Sequence, residues 1–348
     1  MPRALITGLS GFVGHHVAEG ILKHTDWDVV GLDRYHHSGA MSRIMDIDTW
    51  EEHKHRVRLH WHDLRSPINS LLAREIGRVD YLFHIAASSH VDRSIDDPMA
   101  FVMDNVVGTC NLLNYGRTLP NLKKLFYFST DEVFGPAPEG VAYKEWDRYN
   151  SGNPYSAAKA GGEELALAFH NTYKLPVVIT HGMNIFGERQ HPEKFIPLVI
   201  RRCLTGEKVL IHANAARTKA GSRFYIHARN VGAAMLFLCQ NGELGDKYNI
   251  VGEKEVSNLD LALLIEQFVQ EVEPSAKLDW ELVDFHSSRP GHDLRYALDG
   301  TKLREMGFDF PKTFEETLRK VVHWSLAHRN WLLMDQAAAE PAEVLVRS

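Results

Sequence analysis

The chain has 348 residues, of which 44% are hydrophobic and 24% charged, with a formal net charge of −6. That length supports one large core with a smaller lobe, the make-up is globular, and the negative charge argues against nucleic acid as a partner. The opening residues do not read as a signal peptide, no apolar run of about 18 residues occurs in the sequence, and the three scattered cysteines, Cys110, Cys203 and Cys239, read as buried free thiols, so a cytoplasmic protein is expected, with no membrane partner.

Ala4 to Thr7 reads as a short buried strand, followed by Gly8, Gly11 and Gly14 and a helical stretch to about Lys23. Asp28 to Leu32 is a second strand, ending at Asp33. Strand, glycine turn, helix, strand and acid in that order make the dinucleotide-binding fingerprint. Gly8 permits the tight turn, Gly11 lets backbone approach a pyrophosphate, and Gly14 lets helix pack on strand. The free amides of the helix start then face the phosphates. Asp33 suits the two ribose hydroxyls and repels a 2′-phosphate, which favours NAD over NADP, although Arg34 beside it pulls the other way.

Twenty histidines include pairs at His36/His37, His53/His55 and His60/His62. They lack metal-ligand spacing, and a solvated surface loop with no metal is expected. Val57 to His60 is a third strand, with Asp63 and Leu64 beyond it where an adenine edge fits. Tyr81 to Ile85 is a fourth, running into Ala86, Ala87, Ser88 and Ser89, whose small side chains leave room for a cofactor. A helix covers Pro98 to about Thr118, with Asn105 midway, and Lys123 to Thr130 is the fifth strand.

That strand ends in Thr130-Asp131-Glu132. Neighbouring side chains on a strand point to opposite faces, so both carboxyls reach one substrate only where the strand has ended. Gly135 and Pro136 supply the turn. Tyr155 and Lys159 follow, one helical turn apart in an Ala-, Leu- and Glu-rich segment, so phenol and ammonium share a face. A free phenol titrates near ~10, and a neighbouring cation supplies part of the help it needs to act as a base at neutral pH.

Val177 to Thr180 is a sixth strand. Alternation of this kind implies an α/β fold, a doubly wound parallel sheet of Rossmann type over residues 1–185. From 186 to 335 the pattern changes to short strands (Val209–Ile211, Phe224–His227, Tyr248–Val251, Leu278–Val283) mixed with helices. These read as a smaller C-terminal α/β lobe, with 223–240 returning to the first domain and 336–348 a disordered tail. Lys194, Arg223, Asn249, Arg289 and His292 recur at its loop ends.

At these residues the sequence resembles the extended short-chain dehydrogenase/reductase family, and within it the dTDP-glucose 4,6-dehydratase subgroup. The likeness runs from TGLSGFVG through AASSHVDRSI, DNVVGT, STDEVFG, NPYSAAKA, MNIFG, HPEKFIPLVI and YNIVG to RPGHDLRYALD. It implies a nucleotide-diphosphate-sugar substrate and NAD held by Gly8, Gly11, Phe12, Val13, Gly14, Asp33, Arg34, Asp63, Leu64, Ile85, Ala86, Ala87, Ser88, Tyr155, Lys159 and Ile185. Ser89, Thr130 and Asn184 are implied at the hexose and its phosphate. Lys194, Phe195, Ile211, His212, Arg223, Asn249, Arg289 and His292 are implied at the nucleotide. The sequence departs from the subgroup at Leu210-Ile211-His212, at the long Asn214–Ser222 stretch, at Ile185 and at Arg223-Phe224-Tyr225.

The implied reaction has Tyr155, aided by Lys159 and Thr130, take the 4-hydroxyl proton while hydride leaves C4 for NAD. Glu132 then removes the C5 proton, Asp131 protonates the departing 6-hydroxyl, and hydride returns to C6. This assigns a neutral start to Asp131 and a charged start to Glu132. A UDP-sugar 4-epimerase or decarboxylase of the same fold needs the Tyr and Lys but has no use for the carboxyl pair. A non-catalytic NAD-binding sensor has no use for either. A homodimer is also implied, paired through the helices Pro98–Thr118 and Tyr155–Asn171, with apolar residues such as Phe101, Val102, Leu112 and Leu113 available for the contact.

Overall fold

The computed structural model describes residues 1–35, 39–284 and 294–333. Its strands, in chain order, are β1 (Arg3–Thr7), β2 (Asp28–Asp33), β3 (Val57–Trp61), β4 (Tyr81–His84), β5 (Lys124–Thr130), β6 (Val177–Gly182), β7 (Asn184–Phe186), β8 (Val209–Ala213), β9 (Ser222–His227), β10 (Lys247–Ile250), β11 (Glu255–Ser257) and β12 (Trp280–Asp284). The helices that position the site are α1 (Phe12–His24), α2 (Pro98–Val102), α3 (Gly108–Gly116), α4 (Pro154–Tyr173), α5 (Phe195–Thr205), α6 (Ala228–Asn241), α7 (Asn258–Gln270) and α8 (Phe314–Ala327). One turn of π-helix, Met103–Val107, joins α2 to α3.

β10, β6, β5, β4, β1, β2 and β3 form, in that order, one parallel sheet. Alternate side chains supply its two cores. Ile6, Phe83 and Phe126 pack toward α1 and α6, while their neighbours Leu5, Leu82 and Tyr127 pack toward α3 and α4. β1 lies between β2 and β4, so the winding reverses there and a crevice opens beyond the strand ends Thr7, Asp33, His84 and Thr130. The sheet agrees with the α/β expectation.

The smaller lobe joins the β8–β12 parallel pair and the β11-β9-β7 sheet to α5, α7 and α8. Val199, Ile200, Leu261, Ile265, Leu318 and Val322 form its core. One expectation needs correction. The strand expected at Tyr248–Val251 is not in this lobe: β10 pairs with β6 and is the large sheet's edge strand. α6 packs chiefly on α1, so the chain crosses back twice.

Cys203 and Cys239 are buried and Cys110 is half-buried, which corrects the expectation for that one; all three are free thiols. Among the described residues no helix is long and apolar enough to cross a membrane, and no group of three His, Cys, Asp or Glu side chains could hold a metal. His36 and His37 lie outside the described residues.

Candidate active site

The crevice is a cleft of about 940 Å³, floored by the strand ends and walled by the smaller lobe. At its floor Gly8 has φ +71°, in the region side chains avoid, and the Gly11 amide donates to the Gly8 carbonyl at 2.9 Å. A Cβ on Gly14 would lie 2.0 Å from the Gly8 oxygen. Only a glycine lets α1 start this close to the β1 turn. Gly11 caps α1 with no side chain over the first amides. These residues leave a backbone cradle of the size and polarity a pyrophosphate takes.

Asp33, at the end of β2, accepts from the Ser10 amide at 3.0 Å and the Tyr35 amide at 2.8 Å. Both of its oxygens are thereby fixed at the cleft wall. Phe12, Val13, Arg34, Asp63, Leu64, Ile85, Ala86, Ala87, Ser88 and Ile185 line the same cavity. Arg65, bonded to Asp63 at 2.9 and 3.1 Å, leads the groups that hold that carboxyl down to about 2, against some burial.

The reaction centre forms where β5 stops. Thr130 caps a single 3₁₀ turn, Asp131–Phe134, which Gly135 closes at φ +75°. The turn brings Asp131 and Glu132 to one cavity, as the sequence requires. Across from them α4 begins with a reciprocal cap: Asn153 Oδ1 accepts from the Ser156 amide at 2.8 Å, and Ser156 Oγ accepts from the Asn153 amide at 3.3 Å. That cap sets Tyr155 and Lys159 against Thr130, both nearly buried. Lys159 Nζ donates to the Phe128 carbonyl at 2.6 Å and stands 4.3 Å over the Tyr127 ring.

Electrostatics follow from burial. Desolvation lowers Lys159 to about 7, against the opposing pull of Glu163. Burial and then the Glu132 charge push Tyr155 well above the ordinary phenol range, with Thr130 pulling the other way. The cation one turn away therefore does not, in the protein alone, produce the phenolate that the YxxxK spacing suggested.

Burial also raises both carboxyls, Asp131 to about 6 and Glu132, which Asp131 repels, to about 7. Both carboxyls are thus pushed toward the neutral form, and nothing among the described residues favours the expected arrangement, Asp131 neutral and Glu132 charged. Arg223, the Thr130 hydroxyl and two backbone amides stabilise ionised Asp131, whereas Glu132 has Asn153 together with the more distant charges of Arg223 and Lys194. Near neutral pH the pair holds about one proton. Asp131 Oδ2 is buried with no hydrogen-bond partner among the described residues.

In the substrate half Ser89, Asn184, Lys194 and Phe195 line the cleft, and Ile211, His212, Arg223 and Asn249 do not. Ile211 is sealed in the smaller lobe's core, and His212 is half-buried off the wall. Asn249, on β10, is fully buried. Its amide donates to the Tyr143 and Asp299 carbonyls, and its oxygen meets His181 Nδ1 at 2.9 Å. Arg223 donates to the Ser222 and Leu294 carbonyls and packs over Tyr296. It stands behind the wall yet close enough to act on both carboxyls. Arg289 and His292 lie outside the described residues.

The cleft also gathers residues given no role from sequence: His90 and Arg93 on one lip, His191 and Glu193 on the other, and Arg65 and Asp104 at the far end. Arg93 Nη2 reaches Glu193 Oε2 at 3.1 Å. The strings SHVDRS and HPEKF held the signal for the lips, but a facing pair cannot be read from segments a hundred residues apart.

The sequence model described as GDP-mannose 4,6 dehydratase matches residues 5–321. The dTDP-glucose 4,6-dehydratase of Shigella flexneri is 35% identical over 348 residues, covering 95% of this chain and 94% of that protein. The Haemophilus influenzae enzyme of the same name is 35% identical, covering 94% and 98%. Among solved structures, DesIV, a dTDP-glucose 4,6-dehydratase from Streptomyces venezuelae with NAD and TYD bound, superposes with a TM-score of 0.81 at 32% identity, covering 94% and 98%. The UDP-glucose 4-epimerase of Thermus thermophilus, in complex with NAD, gives 0.77 at 25% identity, covering 92% and 98%.

Proposed function

The chain belongs to the GDP-mannose 4,6-dehydratase family, and from that premise we propose that it is an NAD-dependent NDP-hexose 4,6-dehydratase acting on dTDP-glucose or a related NDP-glucose. One observation carries the reading: Asp131 and Glu132 face the same cleft as Tyr155 and Lys159. An epimerase has work for the last two and none for the carboxyl pair.

The residues present fit NAD. Gly14, where a Cβ would strike the Gly8 oxygen, lets α1 start against the β1 turn with its first amides open to the cleft, and Asp33 offers its carboxylate at the cleft wall. When bound, NAD accepts hydride from C4 of the hexose and supplies it again to C6. The chain does the rest. Thr130 and Tyr155 orient the 4-hydroxyl, and Tyr155 takes its proton as the phenolate, a form that the positive charge of bound NAD, added to that of Lys159, would stabilise where Lys159 alone does not. The resulting ketone acidifies C5–H; Glu132 removes that proton and, after exchange with solvent, returns one to C5 once hydride has reached C6. Asp131, through its unpartnered Oδ2, hands a proton to the departing 6-hydroxyl. The pair enters with about one proton at neutral pH, which elimination of water requires, and on substrate binding that proton has to lie on Asp131. The product is a 4-keto-6-deoxy sugar nucleotide, suited to deoxysugar synthesis.

In this reading residues 1–185, with α6 and β10, hold NAD, and the remainder to 333, β9 included, holds the nucleotide sugar. A homodimer through α2 and α4 is part of the proposal. Phe101, Leu112 and Leu113 are buried within one chain and cannot make that contact, which corrects the expectation. Exposed Met99 and Val102 support it instead, and sedimentation as a monomer at micromolar concentration would contradict it. Incubating the protein with dTDP-, UDP-, CDP- and GDP-glucose and assaying for a keto sugar tests the function; no keto product from any of them overturns it.

A further inference from the structure

The adenine end of the cleft holds four charged side chains of alternating sign. Arg34, next to Asp33, makes a fork-on-fork pair with Asp104, Nη1 to Oδ1 at 2.8 Å and Nη2 to Oδ2 at 2.7 Å. Its other neighbour is Asp63, 3.7 Å away. Asp63 is held by Arg65, whose own second contact is Asp104 at 3.8 Å. Asp104 sits on the π-helical turn between α2 and α3, and Ser88 Oγ donates to it at 2.5 Å. All four side chains line the cleft.

An arginine directly after the acid that ends β2 is otherwise well placed to meet a phosphate on the ribose 2′-oxygen, since a guanidinium matches phosphate as well as carboxylate. Here the guanidinium fork is already filled. We propose that Asp104 is a specificity-determining residue: by occupying Arg34 it denies a 2′-phosphate the cation beside Asp33 and so reserves the site for NAD. The inference rests on the NAD reading above. Asp33 repels the phosphate, and Asp104 withholds what could offset that repulsion. Removing Asp33 alone therefore still leaves a 2′-phosphate without the Arg34 fork.

Equilibrium dialysis of the full-length chain, with labelled NAD displaced by NAD or by NADP, reads the affinity ratio directly. The wild type should favour NAD strongly; failure to bind NAD at all would overturn the parent reading. In Asp33→Ser, NADP affinity should improve less than about fivefold. Adding Asp104→Asn frees Arg34 and should improve it a further ten- to hundredfold, the worth of one or two charge-assisted hydrogen bonds. The triple variant Asp33→Ser/Asp104→Asn/Arg34→Leu should lose that gain. Asp104→Ser, measured beside Asp104→Asn with the melting temperature of each, separates a folding defect from the effect. A gain absent from both Asp104 variants, or one that survives Arg34→Leu, overturns the proposal.

Discussion

Asn153 Nδ2 donates to Glu132 Oε2 at 3.2 Å, while Asn153 Oδ1 caps the helix that carries Tyr155. One amide thus fixes the spacing between the proposed C5 base and the proposed C4 base. The two halves of that side chain can be separated. Asn153→Ser keeps a capping oxygen and loses the donor to Glu132; Asn153→Ala loses both. The alanine variant should be less stable by about 0.5–2 kcal/mol, the cost of a cap, and the serine variant by little. Both should lose turnover, about tenfold or more. Thermal denaturation beside steady-state rates would show it, and a serine variant of full activity would leave the amide with a capping role only.

The paired carboxyls predict a narrow pH optimum. Below about 6 both are protonated and no base remains; above about 7 both ionise and no acid remains. Lys159, lowered to about 7, loses its charge over the same alkaline limb. kcat/KM against pH should therefore be a bell centred between those values, as it reports the free enzyme. A profile flat from about pH 5.5 to 8.5 would contradict the assignment.

The same burial costs stability. Glu132 is raised in the folded chain from 4.5 to about 7, so its contribution is favourable below pH 4.5 and lost as pH climbs through 7. At about 1.4 kcal/mol per pH unit, lessened because the carboxyl faces the cleft, the loss at pH 8 is on the order of 1–3 kcal/mol. Glu132→Gln should leave the melting temperature near that of the wild type at pH 4.5 and raise it by several degrees at pH 8. Equal effects at both pH values would show that the carboxyl is not strained by its site.

The cofactor half was legible because it is local in the chain. Gly8 to Gly14, Asp33, and the small residues after β4 belong to strand ends that periodicity locates. Thr130, Asp131 and Glu132 were legible for the same reason, since alternation on β5 allows both carboxyls one substrate only beyond its last residue. The nucleotide half was not. Asn249 and Ile211 take their direction from the sheet each strand joins, and pairing of β10 with β6, or β8 with β12, is a long-range choice that no local pattern encodes. The proton order within the carboxyl pair was hidden too. Arg223, distant in sequence, and amides of the 3₁₀ turn act on it.

The central claim is that Glu132 and Asp131 turn an oxidation at C4 into an elimination across C5–C6. Turnover of dTDP-glucose in deuterium oxide, followed by NMR of the sugar product, reads that claim atom by atom. The wild type should give the 4-keto-6-deoxy product with one solvent deuterium at C5. Tyr155→Phe should give no product, and Glu132→Gln should lose turnover and C5 deuterium together by about 10²- to 10⁴-fold. A wild-type product that is the C4 epimer, with no deuterium at C5 and a rate unchanged by Glu132→Gln, would contradict the account.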